Sequence, residues 1–305
     1  MAGSQPGRRP ASAWAPGRRP REQGADPAGH ACIILRPAAA PPRPGFQPRP
    51  NPHRPVILYE YPLNERVRTL LRLEYLFRRN SFLLQRGHPF DHHHALLSMF
   101  EIMDVSSRQD LKGEMLKDLE RQRQQYLGYR GNPAVSEATL EQVLAEIDAA
   151  FQGLSQQIGK PGQVLADNEW LMSIRSRAGI PGGTCEFDLP AYYAWQHLPE
   201  EQRREDLTRW MEVFGPLAMS VELLLRLLRD AGMPHKSVAQ AGTYQQNLGG
   251  RNFQLMRLRV DGTLGVIPEI TGHRLMVSVR YMRPDSDWKL KPVSSDVQFE
   301  LALCP

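Results

Sequence analysis

Four histidines, His88, His92, His93 and His94, form the densest group of potential metal ligands in the sequence. Two imidazoles one helical turn apart can grip one zinc ion. His88 and His92 have that spacing, but Pro89 between them argues against a regular helix, and no His-Glu-x-x-His pattern is present. The group therefore reads as a polar loop entering a helix. The stretch Gly179-Ile180-Pro181-Gly182-Gly183 has the glycine density of a phosphate cradle. No Lys-Ser/Thr follows it, and the residues before it have a helical rather than a strand pattern, so it reads as a turn. Cys185 has no local signature of a nucleophile. The cysteines number three, Cys32, Cys185 and Cys304, with no C-x-x-C pair, which speaks against a disulfide framework and a structural zinc site and fits a reducing cytoplasm. Dinucleotide loop, phosphate loop and nucleophile elbow are all missing from the sequence. No catalytic residue, metal, cofactor or small-molecule substrate is expected.

Arginine placement is more informative. Over Arg274–Met282 the residues alternate: Leu275, Val277, Val279 and Tyr281 form one face of a strand, and Arg274, Met276, Ser278 and Arg280 the other. The two guanidiniums then point the same way, roughly 20 Å apart. Arg257 and Arg259 share one face of a neighbouring strand candidate. Arginine mixed with methionine on a sheet face suits a short peptide bearing acidic and apolar side chains, and equally describes a solvated outer face.

The elements that would carry these residues follow from hydrophobic spacing. The chain has 305 residues, 41% hydrophobic and 23% charged, enough for one large domain or two small ones, with no run of about 18 apolar residues that would span a membrane. Helical spacing begins at Pro62: Asn64 is a candidate cap, and Val67, Leu70, Leu71, Leu73, Leu76 and Phe77 make an apolar face. Further helices are expected at Ala95–Met103, at 111–130 behind a capping pair Ser107 and Asp110, after Ser136, around Trp170–Ile174, from Pro190, and at 200–214 and 217–231 separated by Gly215-Pro216. Beyond Gly232 the period falls to two, over Phe253–Val260, Arg274–Met282 and Val297–Leu303. Helices followed by strands predict an α+β fold: a mostly α-helical domain over 56–235 and an antiparallel β-domain over 236–305.

Residues 1–55 read as a disordered arm. They hold 13 of the 26 prolines and nine arginines against one Glu and one Asp, a surplus of seven positive charges. Since the whole chain has a net charge of +5, the other 250 residues carry a surplus of two negative charges. The basic character belongs to the arm, and the remainder offers no general surface for nucleic acid. The arm is either a dispensable extension, the product of an upstream start codon, or a basic tether for acidic polymers or lipid. The alternative function is therefore a nucleic-acid-binding adaptor using that arm, with affinity falling steeply in salt.

Several long motifs resemble the ZapD family of cell-division proteins. They are Tyr59-Glu60-Tyr61-Pro62-Leu63-Asn64-Glu65-Arg66 with Leu71-Arg72-Leu73-Glu74, Leu116-Lys117-Asp118-Leu119-Glu120-Arg121-Gln122, and Ile180-Pro181-Gly182-Gly183-Thr184-Cys185-Glu186-Phe187-Asp188-Leu189-Pro190. Trp195, His197-Leu198-Pro199, Tyr244-Gln245, Gly249-Gly250, Pro268-Glu269-Ile270-Thr271-Gly272-His273 and Val279-Arg280-Tyr281-Met282 complete the set. The resemblance runs from about residue 56 to 305. It implies a non-enzymatic, cytoplasmic homodimer with an α-helical and a β-domain, located with the division ring at midcell. Its implied partner is the C-terminal tail of the division GTPase FtsZ, whose protofilaments it would crosslink, with neither nucleic acid nor membrane as partner. Family binding positions that are basic here are Arg72, Arg108 and Arg280, with Arg274 beside the last on the same strand face. Arg72 is placed either at the tail, at the dimer contact or in a salt bridge within its helix. Glu169, Tyr193 and Met276 stand where family members can be basic.

Overall fold

A computed structural model describes residues 55–107, 110–273 and 275–305, which belong to one compact unit. The arm over residues 1–54 lies outside the described residues. The first element of the described residues is strand β1 (Val56–Pro62), which lies ahead of the helical spacing expected from Pro62. Helix α1 (Glu65–Leu84) follows, capped as expected: Asn64 Oδ1 accepts from the Val67 amide at 2.8 Å. Its apolar stripe, Val67, Leu70, Leu73, Leu76 and Phe77, is buried.

Helix α2 (Pro89–Ser107) starts on its proline, so His92, His93 and His94 are helical rather than in a loop. Proline is tolerated in the first helical turn because an amide there has no partner within the helix. Helix α3 (Leu111–Leu127) is capped by Asp110, whose carboxylate accepts from the Gly113 amide at 3.2 Å. Ser107 instead ends α2, so the expected capping pair is corrected to a single aspartate cap. Helix α4 (Glu137–Gln156) is capped by Ser136 as expected. Then come α5 (Gln163–Ala166), α6 (Glu169–Ala178), α7 (Pro190–Gln196), α8 (Glu200–Glu212) and α9 (Gly215–Asp230). Gly215 and Pro216 open α9 instead of separating two helices, and the break falls at Val213-Phe214. The glycine-rich stretch 179–183 is a turn, as expected.

The remaining strands are β2 (His235–Ala239), β3 (Thr243–Asn247), β4 (Leu255–Asp261), β5 (Ile267–His273), β6 (Met276–Pro284), β7 (Leu290–Pro292) and β8 (Val297–Cys304). They form two antiparallel sheets, one ordered β1-β4-β8-β2 and the other β3-β6-β5 with β7 on β6. The α+β architecture matches the sequence expectation. An N-terminal strand is added to the expected C-terminal β-domain: β1 joins β4, with Val56 opposite Asp261 and Pro62 opposite Leu255.

Strand alternation sorts the side chains into layers. Met256, Leu258 and Val260 on β4, Val277, Val279 and Tyr281 on β6, and Val297, Phe299, Leu301 and Leu303 on β8 make a core between the sheets. Phe299 anchors it, with its ring 5.1 Å from Tyr244 and 5.5 Å from Tyr281. On the other face of the first sheet, Leu255 and Cys304 join the helical core with Leu224, Leu227 and Leu228 of α9. Burial there pushes the Cys304 thiol up to about 11, so it packs as an apolar group.

A four-residue ion cluster ties helices to sheet. Arg229 on α9 donates to both Glu60 oxygens on β1, at 2.9 and 2.6 Å, and to both Glu74 oxygens on α1, at 2.6 and 2.7 Å. Arg257, opposite Glu60 in the sheet register, donates to Glu60 at 2.9 Å. All four side chains are about four-fifths buried. Burial pushes the Glu74 carboxyl up, but hydrogen bonding and charge from Arg229 outweigh it and hold it below the usual carboxylate range. Removing the arginine would leave two carboxylates facing each other in a confined space. Arg229→Met should therefore cost about 2–4 kcal/mol in urea unfolding at pH 7. A loss within about 0.5 kcal/mol would show that the cluster does not hold the layers together.

Candidate functional site

The second sheet has one face on the core and one in solvent. On β6 the burial alternates, with Val277, Val279 and Tyr281 inward and Met276 and Arg280 exposed. Flanking strands continue the outer face in register. Thr243 and Glu269 lie on either side of Arg280, Gln245 and Thr271 beside Ser278, and Asn247 and His273 beside Met276. The surface is rich in hydrogen-bonding side chains, and the Arg280 guanidinium is on its central strand. Arg280 is engaged across the strands: its Nε and Nη2 both donate to Glu269 Oε2, at 3.2 and 2.8 Å.

The other sequence-predicted arginines stand apart from this face. Arg72 is exposed on α1, in the helical layer, with no hydrogen-bond or ion-pair partner among the described residues. The salt bridges weighed for it are taken by others: Glu65 pairs with Arg68, and Glu74 with Arg229 and Arg78. Arg108 and Arg274 lie outside the described residues. Arg257 and Arg259 do share a face, but on β4 of the first sheet, where Arg257 is spent on Glu60 and Arg259 lies 4.0 Å from Glu300. They do not extend the surface around Arg280. Glu169 and Tyr193 are exposed on α6 and α7, and Met276 is on the same face as Arg280.

One exposed group escaped the sequence reading. Trp288 stands three-quarters exposed in the turn between β6 and β7 with a left-handed backbone, φ 59°. Neither composition nor periodicity distinguishes a tryptophan in a turn from one in a core, so only the folded hairpin reveals it.

Two of the four clustered histidines take packing roles, while His88 and His94 are exposed. His92 is fully buried, and its Nδ1 accepts from Arg203 Nε at 3.1 Å. Burial lowers its pKa, and the charges of Arg203 and Arg204 lower it further. His93 Nδ1 shares a 2.7 Å hydrogen bond with the Tyr192 hydroxyl, and burial lowers its pKa as well. Among the described residues no three His, Cys, Asp or Glu side chains lie together in a way that could hold a metal ion. Cys185 is half-buried, and no imidazole or carboxylate bonds its sulfur among the described residues.

This is an α+β protein whose informative feature is an open sheet face carrying an arginine. No described helix is long and apolar enough to cross a membrane. A family model described as ZapD, a cell division protein, matches residues 71–280. The Cell division protein ZapD of Ralstonia nicotianae is 53% identical over 250 residues, covering 82% of this chain and 99% of the relative. That of Ralstonia pickettii is 52% identical with the same coverage. The chain belongs to the ZapD family of cell division proteins.

His92, buried, and His93, half-buried, make a checkable prediction. Their pKa values are depressed in the folded state, so the unfolded chain binds more protons as pH falls. Their contribution is present above the unfolded value near 6.5 and is lost below it. The urea midpoint should fall between pH 7 and pH 5.5, and less steeply in His92→Gln. Identical slopes for the two proteins would remove His92 as a cause.

Proposed function

We propose that this chain binds the C-terminal tail of FtsZ and, as a homodimer, crosslinks FtsZ protofilaments at midcell, supporting assembly of the division ring. Family membership supports a role in division. The single observation that carries the contact is Arg280, exposed on the outer face of the second sheet, where Glu269 is its one ion-pair partner among the described residues. A guanidinium there can receive an acidic side chain, while Met276 beside it offers an apolar contact. Arg72, Arg108 and Arg274 are the further partner-binding arginines of this reading.

Bivalency supplies the mechanical consequence. A dimer with one tail site per protomer holds two tails, and two tails can belong to two filaments. A filament displays many tails, so modest single-site affinity is multiplied by effective concentration. No bond is made or broken by this chain, and nucleotide hydrolysis belongs to the partner.

The decisive experiment is co-sedimentation with FtsZ filaments. Full-length FtsZ should pellet as bundles with this protein, and FtsZ lacking its tail should not. Equal bundling of the two would end the tail reading. At the level of residues, Arg280→Glu with Arg108→Glu should weaken binding of a labelled tail peptide roughly tenfold or more, with a native circular-dichroism spectrum and a loss that shrinks at high salt. Unchanged affinity would remove these arginines from the site.

A further inference from the structure

The outer sheet face places an acid where an incoming acid would have to bind. Glu269 and Arg280 are directly opposite each other in the β5–β6 register, so the backbone ladder fixes their proximity. Both bonds from the Arg280 guanidinium end on the same Glu269 oxygen, and its Nη1 makes no bond among the described residues. A two-oxygen fork is the stronger arrangement for an arginine and a carboxylate. The internal pair is therefore incomplete, and a carboxylate arriving from solvent can present both oxygens. The side chains are 57% and 41% exposed, which places the pair among surface ion pairs of small net strength. In these registers Glu269 is the single carboxylate facing outward, and Arg280 is the single Lys or Arg beside it.

We propose that Glu269 is a built-in competitor at Arg280: it occupies the guanidinium in the free protein and is displaced when a partner's acidic side chain arrives. The inference rests on the reading of Arg280 as a partner contact. Glu269 then has three effects. It holds the arginine extended over the sheet and cancels its charge toward non-cognate anions. It also lowers the affinity of each site, so that lasting attachment needs several tails at once. The approaching peptide exchanges one carboxylate for another, which keeps the net gain per contact small and the contact reversible.

The test uses the full chain and a fluorescently labelled FtsZ tail peptide, read by anisotropy at low and high salt. Glu269→Gln keeps the size of the side chain and removes its charge. It should bind the peptide about three- to fivefold tighter at low salt, with affinity falling more steeply as salt rises. Arg280→Gln should weaken binding, and the double variant should match Arg280→Gln alone, because a competitor has no effect once its target is gone. If Arg280→Gln weakens binding while Glu269→Gln leaves it unchanged or weakens it, the competitor role is overturned and the arginine contact stands. If Arg280→Gln binds like the unmodified chain, the contact itself fails and the competitor role with it. Circular dichroism of each variant separates lost binding from lost folding.

Discussion

The contact between helices and sheet depends on Arg229. Its guanidinium closes a ring with two carboxylates from elements far apart in sequence, Glu60 on β1 and Glu74 on α1, and Arg257 completes the charge balance from β4. Largely buried carboxylates tolerate one another only when cations sit between them. The cluster therefore specifies which edge strand, which helix and which sheet face come together. Apolar burial around it, with Leu255 and Cys304 on the sheet and Leu224, Leu227 and Leu228 on α9, supplies the bulk of the attraction but little of that selectivity.

With one face of the first sheet committed to helices and the other to the second sheet, the second sheet's outer face is the broad β-surface left to solvent. Its chemistry follows from alternation. Inward valines and Tyr281 are fixed by packing against Phe299, so outward Met276, Ser278 and Arg280 are free to be anything the surface requires. The same logic explains why an arginine there can serve a partner without weakening the fold. A surface ion pair such as Arg280 with Glu269 contributes little to stability, so exchanging it costs little.

The groups that look most chemical in the sequence are used for architecture instead. His92 is locked against Arg203, which also donates to the carbonyls of Gly87, Gln196 and Leu198, so one buried guanidinium gathers the ends of several helices. His93 is held by Tyr192 within the cluster of Trp170, Trp195 and Trp210. Clustering in sequence put four histidines within seven residues, yet α2 begins after His88 and turns His92 and His93 to different neighbours.

Local physics made much of this protein legible from its sequence. The Asn64 and Ser136 caps, the apolar stripe of α1, the turn over 179–183 and the alternation of β6 and β8 depend on neighbours within a few residues, and the sequence displays those neighbours. The family motifs, including the run that holds Arg280, were equally visible. Other features were decided only by the tertiary structure. Val56–Pro62 is too short and too close to prolines to declare itself, and it becomes a strand because β4 offers an open edge about two hundred residues later. Arg257 and Arg280 carry the same alternating signature, yet one faces a buried carboxylate between layers and the other faces water. Period two says that residues share a face, but which face is buried is set by what packs on it, and long-range packing leaves no mark on local spacing. Likewise Glu269 meets Arg280 through strand register, a relation between distant segments that only the assembled ladder defines.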